Sequence, residues 1–470
     1  MIPLIIDRDS EVSLQEQLYR GLRDAIRDGR LARATLLPPS RDLACQLNVS
    51  RNTVLQAFDW LASEGLIEGR QGSGSYVADL ASLDWPRRAA VGVEPAESSP
   101  VLVQPEPDFD FWYGRVDPRL FPLTFWRRAA AAALRDGGRG LAHYGPPAGD
   151  PQLRMAIAAH VATTRGIAAM PEQVIVTQGA QEALQLVTRL LDLRGSRVAF
   201  EMPGYRAAAD IFVSGGAELA PVPVDAGGID IGKAQTGNAR AAYVTPSHQF
   251  PTGAVLTLER RRTLLDWCGQ QGAWLIEDDY DGEIVYDRPP LMALTALDER
   301  GRTLYVGSFS KVLGSGLRIG YVIVPPSLAS AAAELKGAMS YGQSWLDQQL
   351  LARFMDSGVF TRHVRTLRKR YAARRDRMGA CLAHWLDYQA PAPSPASGVH
   401  FYCDLAGGAP VEATALAATA AMRSVRLYAG RDAGIWLPGD EPLNALVVGY
   451  AAYDPAEIEE AFARLPPAGR

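Results

Sequence analysis

The sequence predicts a multidomain chain: a small, mainly helical N-terminal unit with a hairpin, then a large α/β unit ending in a small α+β portion. Three observations predict it. Amphipathic helical spacing fills the N-terminal stretch and leads into two short strands around a Gly/Ser turn. Residues 79–108 then lose all periodicity and are rich in Pro, Ala, Ser and Glu, as a linker is. From Phe109 onward apolar strands alternate with helical stretches, the pattern of a mostly parallel sheet covered by helices. A length of 470 residues accommodates both units.

Taken in order, residues 13–29 place Leu14, Leu18, Leu22, Ala25 and Ile26 at helical spacing, with Gly29 where a helix stops. A Pro-terminated connection follows. Ser40 is expected to cap a short second helix, with Leu43, Ala44 and Leu47 on one face, and Ser50 to cap a third. In that third helix Val54, Ala57, Phe58 and Leu61 turn inward. The tight turn QLNVS between helices two and three, and the hairpin LIEGRQGSGSYVAD after them, predict a winged helix-turn-helix over residues 1–78. Its third helix would enter a DNA major groove with Ser50, Arg51, Asn52 and Thr53 exposed in the first turn. Arg41 at the start of helix two suits a phosphate. Arg70 and Gly72 in the wing would follow the DNA backbone.

Bulk charge does not argue for a nucleic-acid partner. The net charge is −4, and the first 78 residues are close to neutral. No apolar run approaches the ~20 residues that cross a bilayer, and the start lacks a signal-peptide layout. A cytoplasmic protein with no membrane partner is therefore expected. Cys45, Cys268, Cys381 and Cys403 are too scattered for a zinc site or a disulfide framework, so no metal is expected.

The chemistry of the large unit, residues 109–470 with a small subdomain at about 380–470, centres on a scarce residue. Only four lysines occur, and Lys311 follows the apolar strand TLYVGS, with Ser308 and Ser310 before it and Arg318 after it. A lysine so placed can form a Schiff base with an aldehyde whose phosphate meets the serines and the arginine. A pyridine ring would need a carboxylate at its nitrogen. WLIEDDYDGE supplies Asp278, with Tyr280 two residues on and on the same face. Gly179, Ala180 and Gln181 open a helix after the strand VIVT, a backbone cup for phosphate. Tyr205 follows a Pro-Gly turn and is placed to stack on a ring. His248 and Gln249 are expected on the side of the ring's phenolic oxygen, and Tyr144 at a phosphate across a dimer interface. The Arg-rich run at 362–377 is expected to be a solvated connecting helix.

Residues 14–77, through PSRDLA, SRNTV, the EGLI segment and the Gly-Ser-Gly wing, look like a GntR-type winged helix. The ordered segments TQGAQEAL, PGY, the Pro-Thr-Gly turn, EDDY, SFSK and LRIGY resemble a fold-type I class I aminotransferase. Joined, they resemble the MocR/GabR family of regulators dependent on pyridoxal 5′-phosphate (PLP). That resemblance implies PLP as cofactor on Lys311, Asp278 at the ring nitrogen, Tyr280 at O3′, and Ser308, Ser310 and Arg318 near the phosphate. It also implies a domain-swapped homodimer on double-stranded DNA.

The function expected is transcription regulation, with an amine, an amino acid or PLP itself as the effector. Transamination would be weak or partial; the alternative is a genuine aminotransferase with an autoregulatory DNA-binding unit. Two departures favour sensing. Phe250 stands where aminotransferases carry Asn before Pro-Thr-Gly, and Asn444 stands near the place of a carboxylate-binding Arg. Arg426 or Arg431 is the substitute the sequence offers for it.

Overall fold

The computed structural model describes residues 6–8, 10, 12–70, 74–79, 106–233, 236–286, 289–386, 396–405, 412–439 and 443–468. The chain forms two compact units, Met1–Gln104 and Pro105–Arg470. Most of the expected linker, 80–105, lies outside the described residues.

The first unit has helices α1 (Leu14–Arg27), α2 (Ser40–Leu47) and α3 (Arg51–Ser63), then the antiparallel pair β1 (Ile67–Arg70) and β2 (Gly74–Val77). Its core gathers Leu18, Leu22 and Ile26 of α1, Leu43 of α2, and Val54, Ala57 and Leu61 of α3. Those are the positions that helical spacing selected, and each fully buried Leu or Val contributes roughly 1.5–3 kcal/mol. Ser50 caps α3 as expected, accepting from the Thr53 N–H at 3.1 Å. Ser40 does not cap α2. Pro39, with φ −52° and ψ 142°, is the extended residue before the helix, and Ser40 is the first helical residue. Proline's side chain has no hydrogen-bonding atom, so α2 starts without a side-chain cap.

The second unit begins with β3 (Phe109–Asp110). Its central sheet uses β4 (Val174–Thr177), β5 (Arg197–Met202), β7 (Glu218–Asp225), β8 (Gly228–Ile229), β9 (Ala239–Val244), β10 (Trp274–Asp279), β11 (Thr303–Ser308) and β12 (Gly320–Ile323). A short strand, β6 (Gly204–Tyr205), lies just past β5. The spatial order is β4-β12-β11-β10-β9-β5-β7-β8, with β12 antiparallel to both neighbours and β8 antiparallel to β7. The other pairings are parallel. Both faces are apolar because helices cover both. Ile175, Val198, Ile276 and Val306 pack with the helices Ala180–Leu190 and Ala329–Ser340, while Ala242, Val244 and Leu275 pack with Leu258–Gln271 on the other face. A ligand in such a sheet sits at the carboxyl ends of the parallel strands. Here those ends include Thr177, Met202, Val244, Asp279 and Ser308.

The C-terminal portion has β13 (His400–Asp404), β14 (Val425–Arg426), β15 (Tyr428–Ala429), β16 (Ile435–Trp436) and β17 (Ala445–Gly449). β13, β17 and β15 form a separate antiparallel sheet, β14 joins β3, and β16 joins β6. The Arg-rich run lies in one helix, Val359–Trp385, and it is not simply solvated. Arg374 is buried, donating to Asp117 at 2.6 Å and to the Ala451 carbonyl, and Arg375 is buried over the Tyr286 ring. Charge-run reasoning missed this because a guanidinium can be buried once acids and carbonyls satisfy it. Among the described residues no helix is long and apolar enough to cross a membrane, and no group of His, Cys, Asp and Glu could hold a metal.

Candidate functional site

In the N-terminal unit the exposed first turn of α3 lies beside the start of α2. Ser50 is tied to Thr53 both through its cap bond and at 2.8 Å between hydroxyls. Arg51 and Asn52 are exposed, and Arg51 Nε donates to Ser40 Oγ at 3.3 Å, next to exposed Arg41. Two helix N-termini and two guanidinium groups thus share one face, a ready site for phosphates. Arg70 is partly engaged within the wing: it pairs with Glu68 at 2.6 Å and lies 4.6 Å over the Tyr76 ring. Gly72 lies outside the described residues.

In the C-terminal unit the strand ends close around a cavity of about 290 Å³. Lys311 enters it from the short helix Ser310–Leu313 that follows β11. Its Nζ donates to the Tyr113 carbonyl at 3.2 Å, 5.3 Å from the Tyr113 ring centre. Burial lowers its pKa to about 8, against the pull of Asp281 and Asp278. More of the amine is then neutral and nucleophilic at neutral pH than for an exposed lysine. Facing it at the end of β10, Asp278 is 3% exposed. Tyr243, next door on β9, donates to its Oδ2 at 2.7 Å, but its Oδ1 is buried with no partner. Burial raises the Asp278 pKa to about 7, with Tyr243 opposing and Asp279 and Asp281 adding to the rise.

An unpartnered buried carboxylate oxygen costs free energy unless some donor completes it. A protonated ring nitrogen is such a donor. The phosphate end of a PLP-sized ligand has its place as well. Gly179, at φ +77°, precedes the helix Ala180–Leu190, and a Cβ on Gly320 would lie 2.8 Å from Gly179 backbone. Both positions require glycine for the backbone to turn and approach so closely. Arg318 donates to the Gln178 carbonyl at 3.0 Å and reaches over Gly179. Ser308 donates to Ser310 Oγ at 2.9 Å, so the two hydroxyls stand together. The residues present therefore fit PLP.

The cavity brings together Gly179, Ala180, Gln181, Tyr205, Asp278, Tyr280, Ser308, Ser310, Lys311 and Arg318, all singled out from sequence. Three others lie elsewhere. His248 is not among the lining residues; it stands behind Tyr280, with Nδ1 2.8 Å from Asp281 Oδ2 and 3.0 Å from the Tyr280 hydroxyl. Tyr144 is 83% exposed and packs on Tyr341, outside this chain's own cavity. Gln249 turns away to the Pro203 carbonyl at 2.8 Å and to Glu201. Asp279, opposite Asp278 on the strand, pairs with Arg165 at 2.8 Å.

Sequence reasoning missed Tyr243, Trp112, Tyr113, Thr245 and Ser315. Tyr243 had one signal, a hydroxyl in a strand whose other residues are Ala, Val and one Arg. The pair Trp112-Tyr113 lies far from Lys311 in the chain and carried none. Glu201 was missed too: fully buried, it accepts from the Thr245 hydroxyl at 2.6 Å, and burial lifts its pKa to about 7. Phe250 is buried in the cavity wall, 4.8 Å from Tyr113 and 5.4 Å from Tyr205 between ring centres. Asn444 accepts from the Ala413 N–H at 2.6 Å, which orients it to the small sheet's helix. Of its suggested substitutes, Arg431 donates to the Gly439 carbonyl and Arg426 bonds Tyr428. Neither lines the cavity.

Two family models match the chain. The model of the family described as "Aminotransferase class I and II" matches residues 115–465, and that of "Bacterial regulatory proteins, gntR family" matches 14–77. The solved structure of LysN, an α-aminoadipate aminotransferase of Thermus thermophilus, superposes with a TM-score of 0.68 at 28% identity. It covers 76% of this chain and 90% of that one. Fold and site thus define a helix-turn-helix transcriptional regulator that carries an aminotransferase-like domain. The probable rhizopine catabolism regulatory protein MocR of Rhizobium meliloti is 37% identical over 396 residues, 82% of this chain and 80% of that protein. The pyridoxine biosynthesis regulator PdxR of Corynebacterium glutamicum is 35% identical over 374 residues, 80% of each chain. The chain belongs to the MocR family of HTH-type transcriptional regulators.

Proposed function

We propose that the C-terminal unit senses an amine, an amino acid or PLP itself through PLP held on Lys311, and that the outcome changes how the N-terminal unit binds promoter DNA. The observation that carries this is the pairing, in one cavity, of a buried lysine with a carboxylate oxygen that lacks a donor. Lys311 would hold the cofactor's aldehyde carbon and Asp278, anchored by Tyr243, its ring nitrogen. Tyr205 would stack on the ring. Tyr280, backed by His248, would meet the phenolic oxygen. Ser308, Ser310, Arg318 and the backbone of 179–181 would take the phosphate. When bound, the cofactor supplies an electrophilic carbon at which one amine exchanges for another.

In a domain-swapped homodimer, exposed Tyr144 would serve the partner's phosphate. Arg41, Ser50, Arg51, Asn52 and Thr53 would meet phosphates and base edges, with Arg70 and Gly72 along the backbone. An effector shifts DNA binding only through different affinity for two states of the protein. Phe250, packed among tyrosines, supports binding over rapid turnover, so transamination is expected to be weak. PLP added to the purified protein should give a band near ~420 nm, as a Schiff base does, and Lys311→Ala should abolish it. An unchanged spectrum in that variant would overturn the assignment.

A further inference from the structure

The part of the cavity nearest Lys311 differs in chemistry from the part nearest Gly179. An effector amine would have to reach the carbon that Lys311 Nζ would hold, so its nitrogen would take the place of Nζ and its substituent would lie beside that place. That place is bounded by the Tyr113 ring, 5.3 Å from Nζ, with Trp112 and Phe250 at 4.3 and 4.8 Å from Tyr113 between ring centres. The charged residues lining the cavity, among those described, are Asp278, Lys311 and Arg318. Asp278 repels an anion, Lys311 is consumed by the carbonyl, and Arg318 is held at the phosphate cup by the Gln178 carbonyl at 3.0 Å.

The arginines near the aromatic wall, Arg115 and Arg426, do not line the cavity. Arg115 pairs with Glu106 at 3.3 Å and with Asp110 at 3.5 Å, and Arg426 bonds Tyr428. His400, whose ring centre is 5.9 Å from that of Tyr113, is kept neutral by burial, which lowers its pKa well below the usual value, and beside it His248 lowers it further. A carboxylate placed here would be desolvated with no charged partner, a costly arrangement, whereas hydrocarbon placed on three aromatic faces gains.

We propose that the amine sensed at this site is apolar and carries no carboxylate, an alkyl or arylalkyl amine whose hydrocarbon part sits among Trp112, Tyr113 and Phe250. This rests on the cofactor reading above. In the exchange the incoming nitrogen bonds to the carbon as the Lys311 nitrogen leaves it. Lys311 would depart as the free amine, taking up the hydrogens that the incoming nitrogen gives up, with no oxidation or reduction.

The test is a titration of the PLP-loaded full chain, freed of excess cofactor, followed by its visible spectrum. The probes are matched pairs: 2-phenylethylamine against phenylalanine, and butylamine against 4-aminobutyrate. Each amine is expected to shift the band with a half-saturation at least about tenfold below that of its carboxylated partner. An amino acid that matches or beats its amine overturns the proposal, as does a band that none of the four moves. Failure of the band to form before any addition overturns the cofactor reading itself, and is seen separately.

Discussion

Replacing Asp278 with Asn should stabilise the cofactor-free protein while weakening its hold on PLP. Burial lifts this carboxyl from 3.8 to about 7. The folded state therefore keeps a proton that the unfolded chain gives up, and stability falls as pH rises from about 4 to 7. At 1.36 kcal/mol per unit, the full cost above pH 7 is roughly 4 kcal/mol, of which about 2–3 kcal/mol develops between pH 5 and pH 8. Asn carries no charge and can still accept the Tyr243 hydroxyl, so its fold escapes this cost. Glu201, with a similarly raised pKa, titrates in both proteins and largely cancels in the comparison.

The assay is thermal unfolding of both cofactor-free proteins across that range. For a unit of this size 1 kcal/mol corresponds to roughly 1–2 °C, so the advantage of Asp278→Asn should widen by about 3 °C from pH 5 to pH 8. PLP should reverse the order, because only the carboxylate is matched to a protonated ring nitrogen. A constant difference, or one that narrows with pH, would refute the claim that Asp278 is a buried acid awaiting a donor.

Other outcomes follow from the same geometry. Tyr243→Phe removes the donor to Asp278 and should weaken PLP binding about 10-fold or more, read by fluorescence titration; an unchanged affinity would remove Tyr243 from the site. Arg51→Ala should weaken binding to a footprinted promoter fragment by roughly 10-fold at moderate salt, and an unaffected footprint would contradict the docking face assigned to α3. Steady-state transamination with a panel of amino donors should be slow or absent, and robust multiple turnover would favour the aminotransferase reading.

Much of the site could be read in the sequence because its groups sit at strand ends in short, ordered segments. Asp278 and Tyr280 share a face through the two-residue period of a strand, and Lys311 stood out as one of four lysines. What lay hidden depends on tertiary pairing. Tyr243 reaches Asp278 only because β9 lies beside β10 with Tyr243 level with Ile276. Tyr113 meets Lys311 across nearly 200 positions of chain, and Trp112 lines the same cavity. His248 was legible as a turn residue, yet its hydrogen bond to Asp281 sets it behind Tyr280 rather than in the cavity. The buried Arg374 and Arg375 escaped charge-pattern reasoning for the same cause, since Asp117 and Tyr286 are remote in sequence. In the N-terminal unit the helical periodicity was complete, and only the cap of α2 differed.

Under the proposed function, amine chemistry at Lys311 governs DNA binding through α3. The direct measurement is the affinity of the full chain for its own promoter fragment, taken cofactor-free, PLP-loaded, and PLP-loaded with 2-phenylethylamine, alongside Lys311→Ala. Affinity or footprint should differ among the three states of the native chain and be the same in all three for Lys311→Ala. Identical binding of the native chain in every state would contradict it.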